Sequence, residues 1–208
     1  NTHFLGPLYH TDSKIEHEIL NSLDPNKKTI LVNMGSGGLV EQVKFLNDNS
    51  FIQYNIIVVG DRSNVFSAKN IIKAEFLSLE SVLPKIDLVL NQGGTGNIFQ
   101  SLAHGVPVFC YPTFFEQDWN ANRVHELEYG LSMTGNETLE TMEKLIETWA
   151  CKKAEIKFKL LRESINVEKT KERFRKIVQN LDFRKSINSK VEKKVSVVNY
   201  RVNTLEAH

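Results

Sequence analysis

The chain has 208 residues, 26 of them basic and 25 acidic, with a net charge of +1 and 41% hydrophobic content. That length supports one compact domain with some extra helix or tail, and the balanced charge gives no electrostatic ground for nucleic acid as a partner. No apolar run approaches the roughly 20 residues needed to cross a bilayer, so no transmembrane segment is expected.

Thr29-Ile30-Leu31-Val32-Asn33-Met34 predicts a first buried strand, followed by the glycine-rich Gly35-Ser36-Gly37-Gly38 and a helix from about Leu39 to Leu46. Asn55–Val59 predicts a second strand ending at Gly60-Asp61, Ile71–Phe76 a third, Ile86–Leu90 a fourth and Val106–Cys110 a fifth. Helices are expected at about Glu80–Lys85, Gly96–His104 and Gln117–Tyr129, with a last short strand at Leu131–Met133. Thr138 reads as the N-cap of a helix reaching about Trp149, and charged amphipathic helices continue to about Leu181. In that stretch Phe158, Leu161, Phe174, Ile177 and Leu181 recur at helical spacing and are expected to pack in a core. Continuous apolar strands separated by helices imply an α/β fold with a doubly wound parallel sheet covered on both faces. Residues 182–208 are rich in Lys, Ser and Asn and are expected to form a loosely packed extension, with an added strand open at Val195–Tyr200 and tag-derived residues at the end. The start at Asn1 is read as that of an excised domain.

The two thiols, Cys110 and Cys151, have no metal-ligand spacing and are expected to stay reduced. With no signal peptide visible, the chain is placed in the cytoplasm. No two of the six histidines share ligand spacing, so no metal site is expected. His104 is read as a structural residue near a helix C-terminus, and His17 and His125 as solvated.

In an open parallel sheet, ligands bind beyond the carboxyl ends of the strands, at the switch in strand order. Three clusters lie at such ends. Gly35-Ser36-Gly37-Gly38 allows close backbone approach to a phosphate, although a tight turn needs the same glycines. Asn91-Gln92-Gly93-Gly94-Thr95-Gly96-Asn97 combines three glycines, amides and a hydroxyl before a helix, a loop suited to a pyrophosphate. It has neither the lysine of a Walker loop nor the spacing of a G-x-G-x-x-G fingerprint. The third cluster, Pro112 to Ala121, sets Glu116 beside Gln117 at a helix start, where the pair can grip vicinal hydroxyls or simply cap the helix.

These residues resemble the donor-binding signature of the family 1 glycosyltransferases, nucleotide-sugar-dependent enzymes of two facing Rossmann-like domains (the GT-B fold). Phe76, Leu83, Gly93-Gly94-Thr95-Gly96, Gly105-Val106-Pro107, Pro112, Glu116-Gln117 and Asn120-Ala121 follow the signature's order and spacing. Phe4-Leu5-Gly6-Pro7-Leu8 resembles the family's link into its C-terminal domain, and Asn33-Met34-Gly35-Ser36 its Phe-Gly-Ser loop. The resemblance covers roughly residues 1 to 180 and is most specific from Gly93 to Ala121.

The resemblance implies a Rossmann-like donor-binding domain over residues 1–181, the C-terminal half of a UDP-glycosyltransferase-like enzyme. Phe76 would stack on the nucleobase; Gly35, Ser36, Gly94, Thr95, Gly96 and Asn97 would surround the diphosphate. Gln92 stands where the family has a diphosphate-contacting His, Gln100 where an acid holds the ribose, and Leu79 in place of a common Gln. Glu116 and Gln117 would bind the hydroxyls of the transferred sugar. The implied reaction moves a hexosyl group from a UDP- or dTDP-linked sugar to an acceptor hydroxyl, without metal or other cofactor. Acceptor site and catalytic base would lie in an N-terminal domain or subunit outside this chain, leaving the isolated chain inactive. A Gln cannot become cationic and stabilises a departing diphosphate less well than a His. A non-catalytic nucleotide-sugar-binding or partner-activating relative and a GT-B sugar-nucleotide epimerase are the alternatives.

Overall fold

The computed structural model describes residues 6, 7, 9, 18–35, 39–61 and 65–180. Phe4, Leu5, Leu8, His17, Ser36, Gly37, Gly38, Leu181 and the whole of 182–208, with its expected strand, lie outside the described residues.

The apolar segments form β1 (Thr29–Asn33), β2 (Asn55–Val59), β3 (Ile71–Ala74), β4 (Leu88–Asn91), β5 (Val108–Cys110) and β6 (Gly130–Ser132). They make one parallel sheet in the order β3-β2-β1-β4-β5-β6. The chain therefore winds outward from β1 on one side, then returns to lay β4 on its other side, which puts the topological switch between β1 and β4. Ile30, Leu31, Val32, Ile56, Ile57, Val58, Leu88 and Leu90 are buried throughout, as strands covered on both faces require. Burial of each such side chain stabilises the fold by about 1.5–3 kcal/mol.

The helices are α1 (Leu79–Val82), α2 (Thr95–Ala103), α3 (Phe115–Glu126), α4 (Leu139–Trp149), α5 (Ile156–Ser164) and α6 (Val167–Asn180). Thr138 caps α4 by accepting from the Thr141 amide at 3.3 Å. Helices α2 and α5 pack together, and Gly105 is the reason they can. A Cβ at that position would lie 2.9 Å from the Phe158 carbonyl, and its φ of +68° is one that side chains disfavour. Phe158 is buried and Leu161 partly so.

Three expectations are corrected. The segment after the first glycine loop is a 3-10 helix, Val40–Asn47, not an α-helix. Val40, Val43 and Leu46 recur every three residues, the period of a 3-10 turn, and Val43 and Leu46 are buried. The helix expected at Glu80–Lys85 breaks into α1 and a 3-10 turn, Leu83–Lys85, because Pro84 lacks the amide hydrogen that would continue it. Phe174 is 54% exposed, not core: helical spacing fixes which face it shares, but supplies no surface to cover that face.

Residues Gly6–Val167 fall within one compact unit, and Glu168–Asn180 belongs to another. Within the latter, Lys171 pairs with Glu168 and Lys176 with Glu172, each at 2.7 Å along the helix. No helix among the described residues is long and apolar enough to cross a membrane.

Candidate functional site

Two neighbouring strands, β1 and β4, end in register on asparagines, Asn33 opposite Asn91. Both amides turn their loops: the Gly35 amide donates to Asn33 Oδ1 at 3.3 Å and the Gly93 amide to Asn91 Oδ1 at 2.6 Å. Gly35 (φ +59°) and Gly93 (φ +90°) then take left-handed conformations. Gly93 also admits a close approach, since a Cβ there would meet the Gln117 carbonyl at 2.8 Å.

Gln92 reaches across the switch between the strands. Its Nε2 lies 2.6 Å from where a Gly35 Cβ would stand, so only glycine leaves that amide room. The Gln92 Oε1 and Asn91 Nδ2 atoms are buried without a hydrogen-bond partner among the described residues. Buried polar atoms are seldom left so, and such exceptions point to a ligand or ordered water. Beside them α2 begins at Thr95 with Gly94 as N-cap and no side-chain cap, which leaves its first N–H groups for an anion. Asn33 and Asn97 tie α2 to the end of β1 through Asn33 Nδ2 to Asn97 Oδ1 at 3.3 Å and Asn97 Nδ2 to the Asn33 carbonyl at 3.4 Å.

A second polar group adjoins the first. Thr95 donates its hydroxyl to Glu116 Oε1 at 2.9 Å, and Asn120 Nδ2 bonds the Gly93 carbonyl, Thr95 Oγ1 and Glu116 Oε1 at 3.0, 3.1 and 3.0 Å. Residues 116 and 120 lie one turn apart on α3, so their shared face meets the start of α2. Glu116 is exposed, and only one of its oxygens takes part in these bonds.

The structure thus gathers Gly35, Gln92, Gly94, Thr95, Gly96, Asn97 and Glu116 at one end of the sheet. It sets three other expected residues apart. Gln117 is 1% exposed, and its oxygen accepts from the Thr113 amide and hydroxyl at 3.0 Å each, so it shapes the loop before α3. Gln100 is buried more than a turn into α2. Phe76, 66% exposed, follows β3 at the sheet edge. Asn33 and Asn120 were outside the expected set, although two adjacent strands ending in Asn and the Glu116/Asn120 spacing are visible in the sequence.

The other polar candidates have structural partners. His104 Nδ1 lies 2.9 Å from the Gln100 carbonyl and its Nε2 3.7 Å from Glu80, while His125 is exposed. Burial pushes the Cys110 thiol up to about 12, which removes it as a nucleophile at neutral pH.

A parallel sheet with this strand order and a glycine- and amide-lined crevice at its switch point define a Rossmann-like class of domain. The description "Glycosyltransferase family 28 C-terminal domain" matches residues 21–181, and the chain belongs to that family. It is 40% identical over 62 residues to demethyllactenocin mycarosyltransferase of Streptomyces fradiae, covering 30% of this chain and 13% of that protein. It is 34% identical over 87 residues to mouse UDP-glucuronosyltransferase 3A2, covering 39% of this chain and 16% of that one. Among solved structures, the calicheamicin glycosyltransferase CalG4 superposes with a TM-score of 0.65 at 18% identity, over 86% of this chain and 47% of that one. The glycosyltransferase SnogD from Streptomyces nogalater gives 0.63 at 16% identity, over 83% of this chain and 48% of that one. The chain spans about half the length of those structures, which share its fold, the C-terminal half of a GT-B glycosyltransferase.

Proposed function

We propose that this chain binds the nucleotide-sugar donor of a glycosyltransferase and that its acceptor site and base lie in a second, N-terminal domain. The observation that carries this reading is the crevice between β1 and β4. There the Gln92 amide lies over Gly35, and the uncapped start of α2 adds N–H donors for a diphosphate. Gln92, Gly94, Thr95, Gly96 and Asn97 hold the two phosphates, with Gly35 giving room for close approach. Glu116 accepts from hydroxyls of the transferred sugar. The names of the matched relatives, a mycarosyltransferase and a UDP-glucuronosyltransferase, support a transferred sugar group, and the second a UDP-type carrier.

In the reaction, the bond between the sugar's anomeric carbon and the phosphate oxygen breaks while the acceptor oxygen bonds that carbon. The acceptor proton passes to the base in the second domain, and negative charge gathers on the leaving diphosphate. The α2 N–H groups and the Gln92 amide stabilise that charge as it develops. The unpaired thiols Cys110 and Cys151 fit a reducing compartment such as the cytoplasm.

A second reading has its own observation. Gln92 and Gln100 are amides where the resembled signature carries an ionisable His and an acid. A relative that binds donor without transferring it would retain the crevice and lose the charge. Calorimetric titration with UDP and dTDP in the presence of EDTA tests the binding. Sugar transfer by the full-length protein separates the enzyme from the binding relative. Absence of heat with every nucleoside diphosphate at millimolar concentration would remove the donor-binding reading.

A further inference from the structure

The polar group between α3 and the start of α2 uses up its own donors. Thr95 has one hydroxyl hydrogen, and it goes to Glu116 Oε1 at 2.9 Å. Asn120 has two on Nδ2, shared among the Gly93 carbonyl, Thr95 Oγ1 and Glu116 Oε1 at 3.0, 3.1 and 3.0 Å. Glu116 Oε1 thus accepts twice, which fixes the carboxylate against the first residue of α2. Its second oxygen, on an exposed side chain, can only accept.

The two sides of Thr95 therefore have opposite polarity. On one side the first N–H groups of α2 and Gln92 Nε2 donate, which suits phosphate oxygens. On the other side Glu116 offers lone pairs and negative charge, which suit hydroxyls and oppose phosphate. Because α2 begins at Thr95, that carboxylate lies one side-chain hydrogen bond from the turn that receives the anion.

Donor and product present different charges to this turn. The terminal phosphate of a nucleotide sugar is esterified at both ends. Once the bond to the sugar breaks, that phosphate becomes terminal and gains up to about one further negative charge at neutral pH. The sugar hydroxyls that would donate to Glu116 leave with the acceptor. A bare carboxylate then faces a more highly charged phosphate.

We propose that Glu116, positioned by Thr95 and Asn120, sorts nucleotide sugar from bare nucleoside diphosphate by charge and so promotes release of the product. The assignment rests on the donor-binding reading above and gives Glu116 a role beyond holding sugar hydroxyls.

The test titrates the chain, Glu116→Gln and Asp118→Asn at pH 8 in EDTA. The probes are UDP and UDP methylated on its terminal phosphate, which has the charge of a nucleotide sugar and no sugar hydroxyls. Glu116→Gln keeps an oxygen for Thr95 and Asn120 and loses the charge. It should gain about fivefold in affinity for UDP, the effect of one unit charge on another about 4 Å away through water. Its affinity for the methyl ester should change by no more than about twofold. A gain of this kind cannot come from loss of folded structure. It should also shrink in 1 M salt, where charges are screened beyond about 3 Å. Asp118→Asn makes the same charge change two residues on, where the carboxylate accepts from Asn122 Nδ2 at 3.2 Å. That variant should bind both probes as the parent does. UDP binding that is unchanged or weaker in Glu116→Gln, an equal gain for both probes, or the same gain in Asp118→Asn overturns the charge-sorting assignment alone. Failure of both probes to bind the parent overturns the donor reading and this assignment with it.

Discussion

At the N-terminal ends of the strands, polar side chains close on the backbone around them. Asp87 accepts from the Thr29 amide at 2.8 Å and from Lys28 Nζ at 3.2 Å. Asn55 takes the Asp24 amide at 3.1 Å and gives its own amide to the Asp24 carbonyl at 2.9 Å. Lys153 caps a 3-10 turn through the Leu83, Pro84 and Ile86 carbonyls at 3.2, 2.8 and 2.6 Å. At the C-terminal ends the same kinds of group are left open: among the described residues, Asn91 Nδ2 and Gln92 Oε1 are buried without partners, and the first turn of α2 has no side-chain cap. Cavity size does not separate the two ends, since the N-terminal one holds a cavity of about 420 Å3 and the C-terminal one of about 440 Å3. What separates them is hydrogen-bond completion. A satisfied polar network contributes stability and specificity of fold, whereas an open one is available to a ligand.

The contrast breaks if substitutions at the two ends act alike. The largest effect is expected from Asn55→Ala, which removes a paired amide and leaves the Asp24 groups exposed to partial burial. It should cost about 3 kcal/mol in urea denaturation and leave UDP affinity within about twofold. At the open end, Gln92→Ala should do the reverse. Losing a donor to a charged oxygen weakens UDP binding by about tenfold to a hundredfold, with stability changed by no more than about 0.5 kcal/mol. Unchanged affinity in that variant would mean that Gln92 does not touch the phosphates. Gln92→His sharpens the same point: its affinity for UDP should equal the parent's at pH 8 and exceed it by a few-fold at pH 6, where the imidazole gains charge.

The last effect, confined to alkaline pH, concerns the closed end. Burial lowers Lys153 to about 8, with Asp87 opposing the shift. A base whose folded value lies below its unfolded value binds fewer protons when folded, between about pH 8 and the usual lysine value near 10.4. Stability from this group therefore rises with pH across that window and is flat below it. Lys153→Met should remove that upward component from the parent's pH–stability curve, and an identical slope in both proteins would assign it elsewhere.

Much of this division was legible in the residues. The boundaries of β2 (Asn55–Val59) and of α4 from its Thr138 cap to Trp149 follow from local apolar pattern and capping chemistry, which need no tertiary context. The crevice residues were visible as a glycine- and amide-rich loop between a strand and a helix. Gln117 was not: its sequence neighbour Glu116 faces out, and only the fold shows that the next side chain turns inward to Thr113. Lys73 and Asp61 are 12 positions apart and meet only through the pairing of β2 with β3. The 3-10 helix Val40–Asn47 is not legible locally because apolar residues at i, i+3 fit both helix types; Val43 and Leu46 are buried on the period of three that starts at Val40.

The central claim, that the open end of the sheet binds a nucleoside diphosphate, is tested most directly by backbone amide NMR of the 15N-labelled chain. The spectra are recorded with and without UDP, in EDTA. Shifts concentrated at Gly35, Phe76 and Gln92 to Asn97, with Leu20 to Thr29 unmoved, are the predicted result. Shifts clustered instead around Leu20 to Thr29, Lys85 and Asp87, or no shifts at saturating UDP, would contradict it.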